Sequence, residues 1–266
     1  MIKPNAPLAA ILFVLVAAPY TAFADDKAAT SSTASDSAAS ATPAAAKDES
    51  GFQPLFDGKS LDNWDGNPKF WSVKDGTITG QTTKENPTQG NTFLVYKGGD
   101  VSDFELRFEY RIVGGNSGVQ YRSKVLDPKN WRVGGYQGDF EAGKTYSGIL
   151  YDEGGVAGGR NIMAQRGESV TYGADGKDRK VEKLPMSSEE LQKQIKPEDW
   201  NEYTIIARGN HLVHKINGNT TAECVDQSDK ALKSGVLALQ LHAGPPMLVQ
   251  FRNIRMKKLD AGSSQK

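Results

Sequence analysis

Two carboxylates, Asp139 and Glu153, lie in the stretch GGYQGDFEAGKTYSGILYDEGGVAGGR, from Gly134 to Arg160. Glycine at this density suits loops whose backbone must approach another body closely. The two acids have different local contexts, and carboxyls with divergent pKa values are what acid and base catalysis needs. Tyr136, Gln137 and Arg160 add groups able to bond a polar ligand. The same segment also reads as a solvated polar loop.

Two alternating segments offer further groups. In GGNSGVQYRS, period two sends Asn116, Gly118, Gln120 and Arg122 one way and Ser117, Val119, Tyr121 and Ser123 the other. Planar amides with a guanidinium suit the paired hydroxyls of a sugar, although an ordinary wet strand face reads the same way. In GVLALQLHAG, Leu237, Leu239 and Leu241 share the face that belongs in a core. The other face runs from Val236 and Ala238 to Gln240 and His242, just before a Gly-Pro-Pro turn. It is either solvated or the floor of a site. Of the other histidines, His211 and His214 fall in a hairpin and read as exposed. Trp131, in the irregular DPKNWRVGGY, is the best placed of the tryptophans to stack on a sugar ring; Trp71 and Trp200 open alternating strands and read as core.

Other chemistries lack a pattern. There is no His-x-x-x-His or Cys-x-x-Cys spacing for zinc. A dispersed site for a hard divalent cation stays open, and no cofactor is otherwise indicated. No Gly-x-Gly-x-x-Gly precedes a helix. Lys plus Arg and Asp plus Glu balance at 32 each, so no basic footprint for nucleic acid exists. The single cysteine, Cys224, excludes an internal disulfide.

These groups need a scaffold, and alternation supplies it. DFELRFEYRI places Phe104, Leu106, Phe108, Tyr110 and Ile112 on one face, the pattern of a half-buried antiparallel strand. WSVKDGTITG predicts a hairpin turning at Lys74-Asp75-Gly76, and YTIIARGNHLVHKING one turning at Gly209-Asn210. LVQFRNIRMKKL supplies a closing strand. The one helix is SEELQKQI, with Ser187 and Glu190 as a capping box and Pro197 beyond it. Residues 1–24 carry Lys3, an apolar run and Ala22-Phe23-Ala24, which reads as a signal peptide cleaved after Ala24 and too short to span a membrane. Residues 25–50, rich in Ala, Ser and Thr, read as a disordered tether. Residues 51–260 form one domain, with 261–266 as a disordered tail. The expected fold is an all-β sandwich or jelly roll of two antiparallel sheets with one short inserted helix.

The segments GFQPLFDGKSLDNW, WSVKDGTITG, TFLVYK, DFELRFEYRI, GNSGVQYRS, GYQGDFE, YSGILYDE and LALQLHAGPPMLVQFRNIRMKKL occur in this order. Together they resemble the 3-keto-disaccharide hydrolase domain over 52–259. The resemblance implies a concanavalin A-like jelly roll, a carbohydrate substrate bearing a ketone at C3, and a bacterial protein of the periplasm or exterior. It also implies an upstream sugar oxidoreductase that makes the ketone. On that chemistry, His242 or Asp139 takes the C2 proton, Arg122 holds the enolate oxygen, alone or with Gln120 or a metal, and Glu153 protonates the leaving oxygen. Asn116, Gln120, Tyr136, Gln137, Trp131, Arg160 and Gln240 would bind the sugar. The E-x-D-x-x-E string of concanavalin-like glucanases is missing, which disfavours hydrolysis of unmodified glucan. The alternatives are a non-catalytic carbohydrate-binding module on the same fold and a domain that binds a protein partner.

Overall fold

The structure is a computed structural model describing residues 48–260. The expected signal peptide and nearly all of the expected tether lie outside the described residues, as does the tail at 261–266. Among the described residues, seventeen strands and one helix follow in chain order. The first are β1 (Gln53–Pro54), β2 (Trp64–Asp65), β3 (Trp71–Lys74), β4 (Thr77–Gln81), β5 (Thr92–Tyr96) and β6 (Phe104–Val113). Next come β7 (Asn116–Asp127), β8 (Arg132–Glu141), β9 (Leu150–Glu153), β10 (Ile162–Ala164), β11 (Glu168–Tyr172) and β12 (Arg179–Lys183). After α1 (Ser188–Lys193) the chain continues through β13 (Asn201–Arg208), β14 (His211–Ile216), β15 (Asn219–Asp226), β16 (Val236–Leu241) and β17 (Leu248–Lys258).

The strands form two sheets. One runs β12-β11-β15-β14-β13-β6-β17-β4-β3, with β1 also on β17; the other runs β10-β9-β8-β7-β16-β5-β2. This is the jelly-roll sandwich that the alternation predicts. One pairing departs from the expected antiparallel pattern: β11 runs parallel to β15. The predicted turns form where Gly and Asp allow them. Asp75 and Gly76 take φ of 48° and 71°, the left-handed pair that matches the twist of a two-residue hairpin. The helix begins at the predicted capping box, with Ser187 and Glu190 bonding each other's backbone, and stops at Lys193, short of Pro197.

Phe104, Leu106, Phe108, Tyr110 and Ile112 of β6 face Leu237, Leu239 and Leu241 of the opposite sheet across one core, as period two requires. Trp64 and Trp71 join that core. Trp200 instead packs half-buried under the Arg252 guanidinium, 4.0 Å from its ring centre.

His214 corrects an expectation: it is not exposed but lies between the sheets at 1% exposure. Its Nε2 is 2.8 Å from the Tyr121 hydroxyl, and its Nδ1 is 3.2 Å from both Tyr203 Oη and the Ile149 carbonyl. A carbonyl only accepts, so Nδ1 carries the proton and Nε2 accepts from Tyr121. Burial lowers its pKa to about 4, against the weaker opposing pull of the Ile149 carbonyl.

Candidate functional site

Register assembles one row across the outer face of the seven-stranded sheet. Ala238 pairs with Gln120, Gln120 with Gln137, and Gln137 with Tyr151. Cross-strand partners share a face, and so do residues two apart along each strand. Asn116, Asp139, Glu153 and Gln240 therefore belong to the same face as the row. The intervening residue Gly138 confirms the direction, because a Cβ there would meet Tyr203 Oη at 3.0 Å, inside the core. The apolar end of this face is closed by Phe93, Val133 and Ala238, which pack together with Val95 and Val236. The change from small apolar residues to Gln along β16 thus marks where an apolar wall gives way to a polar floor.

The floor is a directed chain of hydrogen bonds ending on an acid. Ser123 Oγ donates to Gln120 Oε1 at 3.0 Å, Gln120 Nε2 donates to Gln137 Oε1, and Gln137 Nε2 donates to Asp139 Oδ1 at 2.8 Å. Asn116 also bonds Asp139. Gly118, directly opposite Asp139, leaves the space for this convergence: a Cβ there would stand 2.6 Å from Gln137 Cγ. Asp139 is 5% exposed. Burial pushes its carboxyl well above the usual range, and the negative charge of Glu153 adds to this against the amide bonds from Gln137 and Asn116. A carboxyl shifted in this direction favours its protonated form, the form in which it can act as an acid.

Glu153 is the more exposed member of the pair. Asn91 Nδ2 donates to its Oε1 at 3.1 Å, and Gln240 Nε2 to its Oε2 at a long 3.4 Å. The oxygen of the Gln240 amide, Oε1, is buried without a partner. Asn91 Oδ1 accepts from the Ala243 amide at 3.0 Å. His242, half-buried one residue past β16, donates from Nδ1 to the Ala243 carbonyl at 2.5 Å. That carbonyl cannot donate, so Nδ1 carries a proton, and in the neutral ring the lone pair is on Nε2. Asn91 and Thr92 also line a polar hollow of about 420 Å³ together with Lys69, Thr88, Asn130 and Arg132. Its volume lies within the range of small-molecule sites.

Three predicted site residues are elsewhere. Arg122 has φ of 48° at a bulge between Tyr121 and Lys124, which turns its side chain out of the alternation. Its guanidinium is buried against the Ser102, Gly209 and Leu232 carbonyls and pairs with Asp103 at 2.8 Å. It is a structural clamp. Tyr136 points to the core side, one residue out of phase with Gln137, and donates to Asp226 Oδ2 at 2.5 Å. Arg160 forks onto the same Asp226 at 2.9 and 2.6 Å. The glycine-rich loop before it wraps a different acid: Asp152 accepts from the Ala157, Gly159 and Arg160 amides. Trp131 sits in the β7–β8 turn at φ 47°, half-buried, with its carbonyl bonded to the Phe93 amide and its Nε1 buried without a partner.

Asn91 was missed because it lies in a loop, outside any alternating pattern; its only sequence signal is its place immediately before TFLVYK. Among the described residues, no three His, Cys, Asp or Glu side chains are grouped to hold a metal ion. Nor, among them, is any helix long and apolar enough to cross a membrane.

A 3-keto-disaccharide hydrolase of Bacteroides thetaiotaomicron is 32% identical over 95 residues, and the match spans 31% of this chain and 31% of the relative. A candidate glycosyl hydrolase of Parabacteroides distasonis superposes with a TM-score of 0.52 at 19% identity, covering 79% of this chain and 94% of that one, and shows a shared fold. A Bacillus subtilis protein of unknown function with a galectin-like fold gives a TM-score of 0.49 at 12% identity, over 78% of this chain and 94% of that one. The model of the 3-keto-alpha-glucoside-1,2-lyase-like domain matches residues 51–257, and the chain belongs to that family.

Proposed function

We propose that this protein is a carbohydrate-active enzyme that cleaves glycosides whose sugar carries a ketone at C3. The observation that carries this reading is the convergence of buried Asp139, Glu153 and Gln240 on one sheet face, with the loop amide of Asn91 bonded to Glu153 and lining a polar hollow. The family's name, which speaks of a 1,2-lyase, supports an elimination across C1 and C2.

A C3 ketone acidifies the C2 proton. His242 Nε2, with Nδ1 held by the Ala243 carbonyl, takes that proton and leaves an enolate. The enolate collapses: the ketone reforms, a C1–C2 double bond forms and the C1–O bond breaks. The departing oxygen receives a proton from the Asp139–Glu153 pair, with Glu153 as the exposed member. Water then adds at C1 and a proton returns to C2, so the sum is hydrolysis. Asp139, first considered as a base, serves here as the buried proton holder. The enolate oxygen falls to amide donors, because Arg122 is committed elsewhere. Gln240 suits this best, since the bond that its Nε2 donates to Glu153 is a long 3.4 Å and that N–H can turn to the enolate oxygen. Export to the periplasm or medium, with an oxidoreductase supplying the ketone, completes the proposal.

The test is a 3-keto glucoside with a chromogenic leaving group, assayed with wild type, Glu153→Gln and His242→Ala. Release by wild type and its loss in both folded variants is the expected result. No release by any form, with the sugar still bound, would identify a binding module instead.

A further inference from the structure

The polar hollow of about 420 Å³ that Asn91 lines carries charges that the reaction at Glu153 leaves unused. Three segments wall it, and hydrogen bonds tie them together. Asn86 Nδ2 donates to the Lys69 carbonyl at 3.0 Å, Thr92 Oγ1 to the Asn130 carbonyl at 3.4 Å, and the Phe93 amide to the Trp131 carbonyl at 3.0 Å. The hollow is therefore preformed, as small-molecule sites usually are. Arg132 reaches toward the Glu153 side of it: a Cβ added at Gly90 would stand 4.0 Å from Arg132 Nη1, and the next residue, Asn91, holds Glu153.

The charges in the lining are unequal. Lys69 and Arg132 are its two cations, and Asp127 is its one anion. Asp127 is committed within its own turn: Oδ1 accepts from the Lys129 and Asn130 amides at 3.0 and 3.3 Å, and Oδ2 from Asn130 Nδ2 at 2.7 Å. Among the described residues, none forms an ion pair with Lys69 or Arg132, and both side chains are exposed. The hollow thus offers open donors of one sign. The guanidinium presents a planar fork that matches a carboxylate, and the ammonium adds a point charge. Phe70 and Pro87 supply apolar surface for the C–H face of a sugar ring.

We infer that this hollow binds a sugar bearing a carboxylate, held by Arg132 and Lys69, and, on the catalytic reading given above, that this sugar is the half of the substrate released from the 3-keto unit.

Sodium glucuronate is the probe, with glucuronamide as its uncharged near-isostere. Both are titrated into the full chain at low ionic strength and followed by amide chemical shifts. The expected result is shifts centred on residues 86–91 and 127–132, with glucuronate bound roughly threefold or more tighter than glucuronamide. High salt should shrink that preference, as it does for exposed charges. Lys69→Met and Arg132→Met should each remove most of it and leave glucuronamide unchanged. Equal affinity for the two probes, acetate binding as tightly as glucuronate, an unchanged preference in both variants, or shifts absent from these residues would overturn the assignment. The chromogenic 3-keto glucoside separates this assignment from the catalytic reading. Release of the chromogen without a glucuronate preference overturns the acid-sugar site alone. The preference without release upholds that site and overturns the catalytic reading.

Discussion

Asn91 Nδ2 donates to Glu153 Oε1 at 3.1 Å across a sequence separation of 62 residues, while its Oδ1 accepts from the Ala243 amide at 3.0 Å. One side chain thus fixes the carboxyl on β9 and the backbone beside His242. Both bonds vanish in Asn91→Ala. The expected loss in kcat/KM on the chromogenic 3-keto glucoside is roughly tenfold, about 1.4 kcal/mol of barrier, with the melting temperature little changed. An unchanged rate would detach Asn91 from the site.

Gly118 tests the packing of the polar floor. A methyl group there would stand 2.6 Å from Gln137 Cγ and 2.9 Å from Nε2, so the amide that bonds Asp139 must move. Gly118→Ala should cost about 1–3 kcal/mol in urea unfolding, as overpacking does, and reduce turnover more than the milder Asn91 variant. Wild-type activity in this variant would show that Gln137 does not position Asp139.

Arg122 separates structure from chemistry. Its side chain is 1% exposed and paired with Asp103, which is itself 16% exposed. Arg122→Met removes the clamp, leaves the Ser102, Gly209 and Leu232 carbonyls without its N–H groups, and leaves Asp103 with only the Gly209 amide as donor. Unfolding should become easier by about 3–5 kcal/mol, the usual cost of breaking a buried pair. Activity per folded molecule at low temperature should stay close to wild type. A loss of turnover without a loss of stability would restore the catalytic role first expected of it.

His214 sets an acid limit on stability. Its folded pKa of about 4 lies below the ordinary 6.5, because the core excludes its charged form. Between these values the unfolded chain binds a proton that the folded one does not, so stability falls as pH drops through this window. The lowered pKa corresponds to about 3 kcal/mol of stability lost by pH 4. Urea unfolding across the window should show this slope in wild type and a flatter one in His214→Gln. Parallel slopes would place the proton uptake elsewhere.

Alternation made most of the candidate site legible in advance. Period two alone groups Gln137 with Asp139, and Asn116 with Gln120, and the cross-strand register then merges these pairs into one face with Gln240 and Glu153. Arg122 has the parity of that face, but the bulge between Tyr121 and Lys124 and its own positive φ turn it away. No periodicity rule sees a bulge. Tyr136 and Arg160 were drawn in by their place in a glycine-rich stretch, whereas Asp226, from β15, claims both through long-range bonds. Asn91 and the cavity beside it depend on loop placement, which has no period to read.

The central claim is that cleavage begins with removal of the C2 proton. The direct measurement follows a 3-keto disaccharide in deuterated water by NMR, against the same sugar without protein. The account predicts that the released keto sugar carries deuterium at C2 above the uncatalysed level, and that cleavage and incorporation vanish together in His242→Ala. Cleavage that leaves the original hydrogen at C2 would contradict it.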